Sequence, residues 1–163
     1  MLLGKKSNTI YLSNEEVVDY YGDTVYRVAM NQVKNETDAQ DIFQEVFLRF
    51  IQYKKGFASM EHAKAWFIRV TINCCNSFFA KRSRQAEVEL VKDVVQEEVT
   101  DYGVSEYVQS LEEKYRIVVH LFYYEEYKIK EIAEILDENE NTIKTRLARA
   151  RKILKEKWEA GMD

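Results

Sequence analysis

The 163-residue sequence contains no proline, only five glycines, two histidines and two cysteines. Because proline and glycine interrupt regular structure most strongly, their scarcity favours long helices. The cysteines are adjacent, at Cys74 and Cys75, and provide neither a disulfide framework nor a CxxC metal pair. His62 and His120 are isolated, and no glycine-rich phosphate loop is present. We therefore expect an all-α protein that is not an enzyme, with no metal, no cofactor and no small-molecule substrate.

Long hydrophobic runs are also missing. The longest uncharged stretch, residues 70–80, is far shorter than the roughly 20 apolar residues that a membrane-spanning helix needs. The N-terminus shows no basic region followed by an apolar run and a small-residue cleavage site. These absences predict a cytoplasmic protein without membrane insertion.

The net charge of −4 hides an uneven distribution along the chain. Residues 1–88 carry a net +2, residues 89–106 a net −5, and residues 107–163 a net −1. The middle segment contains Gly103 and no sustained helical period, so we interpret it as a flexible acidic linker. It joins two small helical domains, 1–88 and 107–163, each small enough to be marginally stable alone.

Capping boxes indicate where helices start. In a capping box, two residues three positions apart each accept the other's backbone amide with a side chain, so that two otherwise unpaired donors are satisfied. Three pairs have this spacing: Ser13 with Glu16, Thr37 with Gln40, and Ser110 with Glu113. Together with the apolar periodicity, they predict helices over 14–33, 38–53 and 60–85, then 111–124, 128–136 and 140–158, with a short helix near 104–109.

The strongest local pattern is a short helix over 128–136, a turn, and a longer helix from about Thr142. This is the layout of a helix-turn-helix, whose second helix lies in the DNA major groove. The turn offers Asp137 and Asn139 in place of glycine, and both residue types tolerate left-handed backbone better than most.

The second helix of this motif has two distinct sides. Its predicted core face holds Ile143, Leu147, Ala150, Leu154 and Trp158. The opposite side is polar and basic, and includes Thr142, Lys144, Thr145, Arg146, Arg149 and Lys152. Residues 144–157 contain seven basic residues and one acidic residue. Arginine reads guanine edges and lysine neutralises phosphates, so this side predicts DNA binding. The alternative is a solvated basic face.

The predicted third helix carries two apolar stripes, which makes it the central helix of its domain. Its remaining side is polar and runs into a basic end: Trp66, Arg69, Asn73, Asn76, Ser77, Lys81, Arg82 and Arg84. Amides beside an aromatic ring suit hydrogen bonding to bases and stacking on a displaced DNA strand. Alternatively, this polar side is only the solvent-exposed side of an amphipathic helix, and Trp66 belongs to the core.

The predicted second helix leaves a separate polar stripe opposite its phenylalanines. Asp41, Glu45 and Gln52 share this stripe with the apolar Leu48. A leucine among carboxylates suggests a protein-docking face, although single surface leucines are also common.

Taken in order, several segments resemble a bacterial extracytoplasmic-function (ECF) sigma factor, a minimal sigma-70-type subunit of RNA polymerase. They are TDAQDIFQEVFLRF, WFIRVTINCCNSFFAKRSR and LEEKYRIVVHLFYYEEYKIKEIAEILDENENTIKTRLARARKIL. The resemblance covers roughly residues 14–158. Leu111-Glu112 stands where the family usually has LP, and Leu136-Asp137 where it usually has LG, which leaves the promoter sequence open.

The resemblance implies a role for each matched position. Asp41, Gln44 and Glu45, with Leu48 beside them, are expected to dock on the core polymerase. Asn73 and its neighbours are expected to help read the melted minus-ten element, and the loop at residues 56–62 to hold a flipped base. Lys144, Thr145, Arg146 and Arg149 are expected to read the minus-thirty-five element. The implied partners are core RNA polymerase, promoter DNA and an anti-sigma factor.

Two other functions compete with a sigma factor. A stand-alone helix-turn-helix regulator usually dimerises on a palindromic operator, and only EAGMD follows Trp158, so we expect a monomer instead. A pure interaction module, such as a sigma-like decoy, would not need the basic side of the last helix.

Overall fold

A capping box begins the first helix where the sequence predicts one. The computed structural model describes residues 8–88 and 106–161, and helix α1 spans Asn14–Val33. The Glu16 amide donates to Ser13 Oγ (3.1 Å), and the Ser13 amide donates to Glu16 Oε2 (2.8 Å). The helix ends at Lys34, whose φ of 54° is left-handed.

Two further helices complete the first domain: α2 (Glu36–Gln52) and α3 (Met60–Val88). The capping box predicted at Thr37 is wrong, because Asn35 precedes it and its side chain accepts the Asp38 amide at 2.9 Å. Valines of α1 pack with apolar residues of α2 and with Phe67, Cys74 and Cys75 of α3 to form the core of this domain.

The second domain contains α4 (Glu106–Gln109), α5 (Glu113–Val119), α6 (Ile129–Leu136) and α7 (Glu140–Gly161). The helix predicted over 111–124 is α5 continued by a π-helical segment, His120–Tyr124. The capping box predicted at Ser110 is also wrong. Its hydroxyl donates back to the Tyr107 carbonyl at 2.6 Å, while Glu112 takes the N-cap position of α5 without a side-chain cap.

Helices α6 and α7 form the predicted helix-turn-helix. Asp137 terminates α6 in the left-handed conformation, with φ 53° and ψ 49°. Asn139 Oδ1 then accepts the Thr142 amide at 2.7 Å and so caps the first turn of α7. The two turn residues singled out in the sequence therefore have different tasks, one ending a helix and the other starting the next.

The two domains pack against each other directly. Val28 of α1 and Ile68 and Ile72 of α3 belong to the same apolar cluster as the buried residues of α5, α6 and α7. Helix α3 thus contributes to two cores, with Phe67, Cys74 and Cys75 in the first and Ile68 and Ile72 in the second. Most of the predicted linker, residues 89–105, lies outside the described residues, and its last predicted residue, Glu106, begins α4.

Within residues 8–88 and 106–161, no helix combines the length and the apolar character needed to cross a bilayer.

Candidate nucleic-acid interface

Helix α7 buries one side and exposes the other, as its sequence predicts. Ile143, Leu147 and Ala150 are buried against the second domain. The predicted core face is less buried toward the C-terminus. Leu154 is half-buried, and the prediction is wrong for Trp158, which is 60% exposed. Trp158 instead meets the Tyr107 ring edge-on at 6.1 Å.

The outward side of α7 presents the predicted DNA-reading residues. Lys144, Thr145, Arg149 and Lys152 are exposed, and Thr142 and Arg146 are half-buried. The Thr145 hydroxyl donates a hydrogen bond to the Asn141 carbonyl at 2.9 Å. A groove of about 360 Å³ lies beside the first turns of α7, between these side chains and α5.

Two arginines of this side are held by neighbours. Arg146 pairs with Glu138 of the turn at 3.1 Å. The Arg149 guanidinium donates a hydrogen bond to the hydroxyl of Tyr115 in α5, which lowers the pKa of that phenol. The remainder of the Tyr115 side chain is buried. The Tyr115 hydroxyl therefore orients the Arg149 guanidinium. Lys144 and Lys152 are exposed.

The polar side of α3 is divided between solvent and the aromatic core. Asn73, Asn76 and Ser77 are exposed, about one helical turn apart. Trp66 is half-buried, 4.7 Å from the Tyr53 ring and 4.9 Å from the Phe67 ring. Its packing partly supports the interpretation of Trp66 as a core residue, because it is half-buried among aromatic rings.

The cations of α3 have different surroundings. Arg69 is exposed, yet its Nη2 donates to the Glu134 carbonyl of α6 at 2.6 Å. Arg82 pairs with Asp38 at 3.4 Å and lies over the Phe78 ring. Lys81 is exposed, and Arg84 donates to the Ala80 carbonyl at 3.4 Å. The structure therefore places all four cations of α3 on the surface, although Arg69 also contacts the second domain.

The loop before α3 is fixed by an unexpected pairing with the N-terminal segment. Ile10 and Phe57 exchange two backbone hydrogen bonds, of 2.7 and 2.8 Å. Gly56 is required here, because a Cβ would collide with the Thr9 methyl and lie 2.7 Å from the Ile10 carbonyl oxygen. In the predicted base-holding loop, residues 56–62, Phe57 is therefore held by its backbone pairing with Ile10, and the residues from Met60 onward belong to α3.

The polar stripe of α2 lies at the surface. Asp41, Gln44, Glu45 and Leu48 are all exposed, and Leu48 is 55% exposed. Ile51, which the sequence did not single out, is equally exposed at 55% and lies three residues further along the same helix. The spacing of three residues from Leu48 places Ile51 beside it on the helix surface, and this spacing is the sequence signal that could have found it.

A second feature missed in the sequence is a groove of about 480 Å³ between α1 and α2. Val18, Tyr26, Phe43 and Gln44 contribute to its walls. Gln44 joins it to the polar stripe, so the exposed face of α2 continues onto α1.

The cysteine pair is buried. Burial raises the pKa of Cys75 to about 12 and also raises that of Cys74. Both thiols are buried in the first-domain core and behave as small apolar side chains.

Comparison with known proteins finds two family models that match successive parts of the chain. The Sigma-70 region 2 model matches residues 17–85, and the Sigma-70, region 4 model matches residues 104–154. The chain is 31% identical over 156 residues to RNA polymerase sigma factor SigV of Bacillus subtilis (strain 168), covering 93% of each chain. It is 29% identical over 160 residues to the ECF RNA polymerase sigma factor SigW of the same strain, covering 86% of each.

Two solved structures share the fold at 20% sequence identity. The sigma factor RpoE bound to the anti-sigma factor NepR from Bartonella quintana superposes with a TM-score of 0.68, covering 87% of this chain and 93% of that chain. CnrH in complex with the cytosolic domain of CnrY superposes with a TM-score of 0.60, covering 90% and 88%. The matches to both sigma regions and to full-length relatives are consistent with the surfaces described above. The chain belongs to the sigma-70 family as an ECF sigma factor, an alternative sigma subunit that directs RNA polymerase to promoters.

Proposed function

We propose that this sigma factor divides promoter recognition between α7 and α3. The observation that carries the proposal is the two-sided character of α7, which buries Ile143, Leu147 and Ala150 and turns Lys144, Thr145, Arg149 and Lys152 outward. In a helix-turn-helix, the exposed side of the second helix enters the major groove. Arg149 reads a base edge of the minus-thirty-five element, and the lysines contact phosphates.

The polar side of α3 contacts the minus-ten element. Asn73, Asn76 and Ser77 offer hydrogen-bonding groups to the bases of a melted strand, and Arg69, Lys81, Arg82 and Arg84 supply positive charge along its backbone. In this proposal, the protein promotes melting of the minus-ten region by capturing the opened strand and performs no catalysis of its own.

The exposed stripe of α2 is the docking face for core polymerase. Leu48 and Ile51 are apolar and each 55% exposed, and Asp41 and Glu45 flank them. An apolar centre with a charged rim is the usual arrangement of a protein interface. A basic and partly apolar surface on the polymerase fits this face.

The cellular setting follows from the same proposal. Core polymerase and promoter DNA are cytoplasmic partners, so the protein acts in the cytoplasm as a monomer when free. The two structural neighbours with related folds are complexes, one with an anti-sigma factor and one with a cytosolic domain. We extend this to an anti-sigma factor as the regulatory partner of this chain.

In vitro transcription with mapping of RNA start sites tests the proposal. Core polymerase with the wild-type protein is expected to start at a defined set of promoters that core alone does not use. A variant with Lys144→Ala and Arg149→Ala should lose those starts, whereas the matched variant Lys128→Ala, also an exposed basic residue of the second domain, should retain them. Tight promoter binding without core polymerase would instead indicate a stand-alone regulator.

A further inference from the structure

The connection between α2 and α3, residues 53–59, is held by two parts of the chain that precede it. We call it the α2–α3 loop. Within the loop, the Ile10 amide donates to the Phe57 carbonyl at 2.7 Å, and the Phe57 amide donates to the Ile10 carbonyl at 2.8 Å. Directly after the loop, the Tyr21 hydroxyl of α1 donates to the Met60 carbonyl at 2.9 Å. The path of the backbone into α3 is therefore fixed at two points.

Both points are anchored in the aromatic core of the first domain. The Phe57 side chain is 5% exposed, and its ring stacks on the Tyr53 ring at 5.3 Å. The Tyr21 side chain is 4% exposed, and its ring stacks on the Phe67 ring at 5.1 Å. A hydroxyl on a packed ring has little freedom to move. The hydrogen bond from Tyr21 therefore fixes the Met60 carbonyl relative to the core.

The close approach of the N-terminal segment to the loop depends on Gly56. A Cβ added at this position would lie 2.7 Å from the Ile10 carbonyl oxygen and would collide with the Thr9 side chain. Glycine is the residue that permits such an approach of two backbones. The missing side chain at Gly56 and the paired amides of Ile10 and Phe57 are thus two independent signs of one specific contact.

The α2–α3 loop leads directly into the polar side of α3. Ser59 Oγ accepts the His62 amide at 3.1 Å and so satisfies a donor of the first turn of α3. Glu61 and His62 are exposed in that turn. On its first-domain side, a cavity of about 590 Å³ is lined by Ser59, Glu61 and His62 together with Trp66 and Arg69, and α6 forms its other wall. The loop therefore sets where the polar groups of the first turn lie relative to the remainder of the polar side.

We propose that Ile10 and Tyr21 are positioning residues for recognition of the minus-ten element, and that they act through the α2–α3 loop. Ile10 acts through its backbone on Phe57, and Tyr21 acts through its hydroxyl on Met60. This inference rests on the proposed role of the polar side of α3. Hydrogen bonds to base edges depend steeply on distance and angle. A small shift of the loop therefore weakens the preference for one base over another while the domain stays folded.

Five variants separate the two contacts from the side chains around them. Tyr21→Phe removes only the hydroxyl, and Tyr20→Phe is its matched control, because Tyr20 is the neighbouring residue and is 60% exposed. Ile10→Pro removes the amide that donates to the Phe57 carbonyl. Asn8→Pro places the same residue type two positions earlier, at an exposed site outside the pairing. Ile10→Val keeps the amide and tests whether the side chain matters.

The measurement is the rate of open-complex formation by holoenzyme that contains the full-length protein, on promoters that differ by single bases in either element. Tyr21→Phe and Ile10→Pro are expected to reduce the ratio of rates between the preferred and the disfavoured base of the minus-ten element by about threefold or more. The corresponding ratio for the minus-thirty-five element and the binding of core polymerase should stay at wild-type values. Tyr20→Phe, Asn8→Pro and Ile10→Val should match the wild type throughout.

An unchanged minus-ten ratio in either test variant would overturn the role of that residue and leave the proposed function intact. An equal loss of base preference at both elements, or a loss of core binding, would show a purely structural role and would also overturn the inference. If the wild-type holoenzyme has no base preference in the minus-ten element, the proposed role of α3 is wrong, and this inference is wrong with it.

Discussion

The guanidinium of Arg116 lies at the C-terminal end of α1, with its Nε donating to the Asn31 carbonyl at 2.5 Å. The same side chain donates to the Leu111 carbonyl of its own domain at 2.6 Å. The last carbonyls of a helix lack intrahelical partners and carry partial negative charge, so a cation is favourable there. A residue of the second domain therefore completes a helix of the first.

Arg116→Met is expected to lower the free energy of unfolding by about 2–4 kcal/mol, because several buried carbonyls lose a charged donor. Urea denaturation at neutral pH measures the effect. Lys114→Met, on the exposed side of the same helix, should stay within about 0.5 kcal/mol of wild type. Equal effects of the two substitutions would show that the Arg116 hydrogen bonds contribute nothing specific.

Arg149→Ala should relax base preference at one position of the minus-thirty-five element by about 1–3 kcal/mol, because a bidentate contact to guanine is lost. Lys155→Ala should weaken binding to all sequences alike and slightly reduce the salt dependence. Tyr115→Phe tests the orientation of Arg149, and a partial loss of the same base preference is expected. Binding of holoenzyme to a panel of single-base promoter variants measures all three. If Arg149→Ala and Lys155→Ala give the same sequence-independent loss, Arg149 does not read a base.

Leu48→Lys should leave the thermal midpoint nearly unchanged, since Leu48 is 55% exposed and free-surface changes stay within about 0.5 kcal/mol. Association with core polymerase should be abolished, because an unpaired charge at the centre of an interface costs several kcal/mol. A melting curve and a pull-down on core polymerase measure the two effects. Lys55→Glu, an exposed change beyond the end of α2, serves as the control. Normal melting together with normal core binding would show that the α2 stripe is ordinary solvent surface.

Acid should weaken the contacts of the buried Glu125 carboxylate with Lys64 (2.9 Å) and Arg27 (3.7 Å). Its pKa is about 2 in the folded protein against 4.5 for the free side chain, so the unfolded chain takes up the proton first. The stabilisation is therefore complete above about pH 4.5 and is lost as the pH falls toward 2. Between pH 6 and 3.5, the difference in unfolding free energy between wild type and Glu125→Gln should shrink by about 1–1.5 kcal/mol. Urea titrations of both proteins measure it, and a pH-independent difference would contradict the assignment.

The elements that the sequence predicted correctly depend on local chemistry. Ser13 and Glu16 form their capping box, and Asp137 takes the left-handed position of the turn. The failures at Thr37 and Ser110 are also local, because Asn35 caps the helix two residues earlier through the Asp38 amide, and the Ser110 hydroxyl donates to the Tyr107 carbonyl instead. Capping patterns predict that a helix starts nearby, but competition among neighbouring polar side chains decides where.

The domain interface was beyond the reach of the sequence pattern. The two apolar stripes of α3 indicated a central helix, but not that Ile68 and Ile72 face a second domain. No local pattern singles out Glu125 in the sequence, because its partners Arg27 and Lys64 are distant in the chain. The exposed positions of the candidate site, from Asp41 to Lys152, follow from helical phase alone, whereas their functions remain predictions.

The π-helical segment His120–Tyr124 gives the interface a peculiar vulnerability. In this segment the Glu125 amide bonds to the His120 carbonyl, five residues back, at 3.0 Å, so the turn holds one residue more than an α-helix would. Deleting a single residue there would restore α-helical spacing and rotate Glu125 by about 100° around the axis, away from Arg27 and Lys64. The number of residues in this one turn, and not only the charges around it, therefore determines whether Glu125 reaches Arg27 and Lys64.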